Sequence, residues 1–210
     1  MMRHAPTRHG LMQSATHHTA TGEKYRETAK PPTDTQISAH LAGQITVAVP
    51  ACANGLAATI VIDVDDNGFS IVPALIAAAE KHGLWAWGEL HEDTDRGYVY
   101  IPFAALVNAA ALKQLGDVLI AEAGFADVPA AMLDNRTANQ AITRLPFGIH
   151  RQTMRRGLII FQDGTSYDLN TALDAGLAAW RDRYHENAAL VPAAPPAYEN
   201  APAPRTATKC

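Results

Sequence analysis

Three carboxylates, Asp63, Asp65 and Asp66, close the run Thr59–Asp66, TIVIDVDD. The residues ahead of them are β-branched and apolar, as a buried strand requires. Alternate side chains of a strand share a face, so Asp63 and Asp65 project the same way. Two like charges so placed repel each other unless a cation or strong donors lie between them. Hard oxygen ligands suit Mg2+ or Mn2+, so a divalent-cation site is one reading. A solvated acidic turn at Asp66-Asn67-Gly68 is the other, and this stretch alone leaves both open.

The elements that must position these acids follow from pattern. Thr35–Leu41 reads as a short helix and Gln44–Pro50 as a strand. The Asn54-Gly55 pair is a hairpin signal that returns the chain into the Thr59–Asp65 strand. Val72–His82 has apolar residues at helical spacing, with Pro73 suited to a first turn and Gly83 to a stop. Leu84–Leu90 and Gly97–Phe103 read as strands joined by the polar loop His91–Arg96. Leu106–Ala123 follows as a long amphipathic helix, then a loop over Gly124–Asn135. Thr143–His150 (TRLPFGIH) leads into the basic stretch Arg151–Arg156, the strand Gly157–Gln162 and a last helix over Asn170–Tyr184. This order predicts an α+β domain over residues 37–187, with a mostly antiparallel sheet and helices packed on it. Residues 1–36 are rich in His, Thr, Ala and Pro without periodicity, and 188–210 are Pro- and Ala-rich. Both are expected to be disordered.

The 210 residues suffice for one domain with a sizeable core, and 48% apolar with 18% charged is ordinary for a globular chain. A net charge of −4 argues against indiscriminate binding to nucleic acid while leaving room for a local basic groove. Two cysteines, Cys52 and Cys210, make no disulfide framework or zinc spacing. No apolar run is long enough to span a membrane, and no secretory signal is evident, so a cytoplasmic protein without membrane contact is expected. Walker-type loops, GxGxxG, nucleophile elbows and HExxH are absent from the sequence, which removes several enzyme classes.

The segments HLAGQITVAVP, ATIVIDVDD, WGEL, GYVYIPF, RLPFGIH and GLIIFQDG together resemble archaeo-eukaryotic primase–polymerases. The likeness is to the compact bacterial and mobile-element branch and runs from about His40 to Asp163. It implies an RRM-like, primase-type catalytic core. It also implies that Asp63, Asp65 and Asp163 hold two divalent cations for nucleotidyl transfer to a 3′ hydroxyl or for starting a primer. Nucleoside triphosphates and single-stranded or primed nucleic acid would be the ligands, in replication or defence of a mobile element. A helicase or nuclease partner is not legible.

The middle motif departs from that pattern. Glu89 has a counterpart in it, but Tyr98 stands where the family places a histidine, and His91-Glu92-Asp93-Thr94-Asp95-Arg96 replaces a small, glycine-rich approach. A tyrosine brings no positive charge to a triphosphate at neutral pH. The resemblance places Arg144, His150, Arg151, Arg155 and Arg156 near the groove as phosphate contacts, for which the guanidinium fork is suited. The alternative is an ion-paired Arg144 that holds the fold and an exposed turn at Arg155-Arg156. Arg136 could reach a phosphate, though nothing local demands it. Trp85 with Trp87, and Tyr98 with Tyr100, have period-two spacing that suits core packing better than base stacking. A catalytically lapsed nucleic-acid-binding or scaffold module is the second reading of the whole chain.

Overall fold

The computed structural model describes residues 31–138, 142–150 and 154–161, with strand segments at 15–18, 26–28 and 166–167. The elements in chain order are β1 (Ala15–His18), β2 (Arg26–Thr28), α1 (Asp34–Leu41), β3 (Thr46–Pro50), β4 (Cys52–Ala53) and β5 (Leu56–Val64). Then come α2 (Gly68–Lys81), β6 (Trp87–His91), β7 (Arg96–Asn108), α3 (Ala109–Glu122) and β8 (Leu133–Asn135), which runs into a 3-10 turn at Arg136–Ala138. The last are β9 (Ile142–Arg144), β10 (Ile149–His150), β11 (Arg155–Arg156), β12 (Leu158–Phe161) and β13 (Ser166–Tyr167).

The central sheet runs β13-β12-β6-β7-β5-β4, and β8 pairs with the far end of β5. Its strand pairs are antiparallel. Within it, β5-α2-β6-β7-α3-β8 is a βαββαβ unit whose strands lie in the order fourth, first, third, second. That is the split βαβ, RRM-like arrangement. The expected α+β fold with a mostly antiparallel sheet is therefore the observed one. A second sheet, β2-β1-β3-β9, carries Arg144 at its edge.

Alternation along β5 sorts the two faces. Ile60, Ile62 and Val64 join Val99, Ile101 and Leu90 in a core closed by Ile71, Val72, Leu75 and Ile76 of α2 and by Leu112 and Leu119 of α3. The opposite residues, Val61, Asp63, Tyr98, Tyr100, Trp87 and Glu89, share the other face by cross-strand register. Burial of about a dozen aliphatic side chains against one face is what fixes the register, because a one-residue slip would turn the acids into the core.

Several boundaries differ from the sequence reading. The Asn54-Gly55 turn exists, with φ of 52° and 75°, but it joins β5 to the two-residue β4, while β3 leaves for the second sheet. Strand β7 runs on through Asn108, so α3 begins three residues later than expected. The Asn108 side chain caps it by accepting from the N–H groups of Ala110 and Ala111. Pro102 is accommodated inside β7 because it pairs with Thr59 where the register shifts by a bulge. Helix α2 starts one turn early, which puts Pro73 in its second turn. Part of the lead expected to be disordered forms β1 and β2, since the outer edge of β3 offers unpaired backbone that Thr16–His18 fills. The helix expected over Asn170–Tyr184 and the tail 188–210 lie outside the described residues. Among the described residues no helix is long and apolar enough to cross a membrane.

Candidate functional site

On the face that the helices leave uncovered, one row of residues crosses four adjacent strands: Asp134, Asp63, Tyr98 and Glu89. Asp63 is buried, whereas Asp65, just past the end of β5, is about one-third exposed. Asp63 and Asp134 are direct cross-strand partners, a placement that costs energy for two like charges. The guanidinium of Arg136 relieves it: Nη2 is paired with Asp63 Oδ2, and Nε lies 3.4 Å from Asp134 Oδ2. Arg96 lies 3.5 Å from Asp65. Burial lifts the Asp63 carboxyl to about 6, against the opposing pull of Arg136; Asp65 and Asp134 raise it further, and a hydrogen bond from the Tyr98 hydroxyl lowers it.

What aims Arg136 is a buried polar knot. Asn135 Nδ2 donates to the Lys113 carbonyl at 2.8 Å and to Asp117 Oδ1 at 2.9 Å, while its Oδ1 accepts from the Thr137 hydroxyl at 2.6 Å. Thr137 Oγ1 in turn accepts from the Val61 N–H at 3.1 Å and so continues the β5 edge where β8 stops. A Cβ on Gly116 would press on Asn135 Nδ2, so α3 is glycine at the point of closest approach.

The neighbouring half of the face is a buried ion pair between sheets. Arg144 Nη2 donates to Glu89 Oε1 at 3.1 Å and also contacts His91 Nε2. Glu89 is fully buried, and desolvation raises its carboxyl, with Arg144, the Phe147 backbone N–H and Arg156 opposing. Burial, then Arg144 and His150, push His91 down to about 3, so its ring is neutral and Nε2 can accept. The His91 and His150 rings are 5.0 Å apart. Burial and then Arg144 also lower His150.

The RLPFGIH segment is fastened over this pair. His40 Nε2 faces the carbonyls of Leu145 and Pro146 at 3.0 and 3.1 Å, and its Nδ1 accepts from the Val47 N–H. Gly148 packs against that imidazole. Phe147, at φ 68°, stacks on Trp87 with centroids 5.2 Å apart, and Trp87 stacks on Tyr100 at 4.4 Å. The tryptophan and tyrosine pairs are thus packing elements, with Trp85 and Tyr100 buried.

Asp63 and Tyr98 are brought together, and Asp65 lies beside them. Arg144 and His150 gather at Glu89 and His91. Arg155 pairs at the surface with Asp93 at 3.0 Å, and Arg156 donates to the carbonyls of Phe147 and Leu41. Asp163 and Arg151 lie outside the described residues. The acidic loop is partly spoken for: Asp95 accepts from the Phe69 N–H through its carboxylate and from the Gly68 N–H through its carbonyl, which caps α2. Sequence reading missed the part played by Asp134 and Arg136. Their only signal was an acid and a base two residues apart in a stretch too short for periodicity.

Among the described residues no three His, Cys, Asp or Glu side chains converge as metal ligands. Asp63 and Asp65 each already face a guanidinium.

No family model matches the sequence, and no curated protein does. Among solved structures, the chain is similar to the AEP domain of the cyanophage S-2L primase-polymerase (PrimPol). Identity is 17% and the TM-score 0.45, over 78% of this chain and 88% of that one.

Proposed function

We propose that this chain is a primase–polymerase-like domain that binds nucleotides and single-stranded or primed nucleic acid across the helix-free face of its central sheet. The observation that carries the reading is the row Asp134–Asp63–Tyr98–Glu89 on that face, bordered by Arg96, Arg144 and His150. The face is open at its Asp134, Asp65 and Arg96 end, where acids and an arginine suited to a phosphate chain and its counter-ions reach the surface, and the Glu89 end lies beneath Arg144. In the sequence, Arg151 and Arg155 follow closely on His150 in the same basic segment. Binding is the supported role: Asp63 is committed to Arg136, and Tyr98 brings no positive charge to a phosphate.

A second reading, an active nucleotidyltransferase using Mg2+ or Mn2+, is favoured by one fact. Asp163 follows β12, which belongs to the same sheet as β5. One pair of measurements separates the readings. Fluorescence anisotropy with labelled single-stranded DNA and calorimetry with a nucleoside triphosphate should both report binding by the wild-type chain. Mn2+-dependent primer extension should be absent, or, under the second reading, present and abolished in Asp63→Ala/Asp65→Ala. Lack of both nucleotide and DNA binding by a folded chain would overturn the proposal.

A further inference from the structure

We propose that Arg136 is the resident counter-cation of the acid row and masks it against divalent metal ions. The inference rests on the reading above only in taking this face as the working one. Two carboxylates directly opposed on neighbouring strands, with a third at the strand end, would attract a cation from solution. Here the charge is met from within. The Arg136 fork reaches Asp63 with one nitrogen and Asp134 with another, and Nη1 faces the Ile142 carbonyl at 3.5 Å. One side chain therefore spans β5, β8 and β9.

The placement is built. Arg136 sits between Asn135 and Thr137, both buried and both hydrogen-bonded within the Asn135–Thr137–Val61 knot, so its backbone is fixed while its side chain stays about one-quarter exposed. A partly exposed guanidinium on a fixed backbone can exchange partners by rotating its own side chain. A phosphate is the natural competitor, since it takes the same bidentate fork as a carboxylate. Departure of Arg136 leaves Asp63 and Asp134 opposed without their bridge.

The experiment is a Mn2+ titration of the full chain at pH 8, where Asp63 is ionised, followed by the loss of the free Mn2+ electron paramagnetic resonance signal. Arg136→Gln should bind one Mn2+ about tenfold or more tightly than wild type, and Asp63→Asn in that background should abolish the gain. Arg136→Lys, which keeps the charge but cannot bridge two acids, should fall between them and serves if Arg136→Gln does not fold. Equal Mn2+ affinity in wild type and in a folded Arg136 variant would overturn the proposal, as would a gain that survives Asp63→Asn. None of these readouts depends on nucleotide or DNA binding, so the two proposals fail separately.

Discussion

Arg144 and Glu89 belong to different sheets and meet at 3.1 Å with both side chains almost wholly out of water. The pair joins the sheet that contains β3 to the sheet that contains β6. A buried ion pair gains little over a well-packed apolar pair, but removing one partner strands a charge.

Arg144→Met should therefore lose about 3–5 kcal/mol in urea unfolding. Glu89→Leu/Arg144→Met should recover most of that loss. A double variant as unstable as the single one would mean that the side chains matter for packing rather than for charge.

Asp63 sets a pH dependence whose sign is fixed by its raised carboxyl. Because about 6 lies above the ordinary 3.8, the folded state holds the proton more tightly than the unfolded chain. The contribution is fully present below about pH 4 and is lost as pH rises through about 6, amounting to about 3 kcal/mol. Urea midpoints measured from pH 4 to 7 should show this fall, and Asp63→Asn should flatten it.

Gly148 is set against the His40 ring so closely that any Cβ must displace the imidazole. Gly148→Ala is expected to cost about 1–3 kcal/mol and to release the Leu145 and Pro146 carbonyls from His40. Trp87 fluorescence should report it, since Phe147 would no longer hold its stacked position.

Asp95 caps a helix from a neighbouring hairpin rather than from the helix's own leading residue. Asn67, at the usual capping position, makes no side-chain cap. Asp95→Ala should lower stability by about 1 kcal/mol, read as a drop in melting temperature. Asp95→Asn, which tolerates the residue's φ of 49° and keeps an acceptor, should retain most of it.

Much of the fold was legible because its central elements are long and periodic. The alternation in Thr59–Asp65 and Gly97–Phe103, and the helical spacing in Val72–His82, each survive in β5, β7 and α2. The errors fall where a distant partner overrides local preference. Asp95 moves the start of α2, and Leu56 and Ala57 hold Val107 and Asn108 in the strand. Tyr98 joins Asp63 through the β5–β7 register, and only the face shared by Asp63 and Asp65 could be read from period two. The bridge from Arg136 could not, because β8 is three residues long and exists through the Asn135 and Thr137 hydrogen bonds and its pairing with β5.

The two carbonyls held by Arg156 carry a consequence for synthesis order. One belongs to Leu41, at the end of α1, and the other to Phe147, so this guanidinium closes a loop of more than a hundred residues. As the chain leaves the ribosome, the stretch through α3 can collapse on its own core while the end of α1 and the 145–148 segment await residue 156. The face that bears Glu89 and Trp87 is thus among the last surfaces to be finished, and a nascent chain halted before that point would carry its aromatic stack without this anchor.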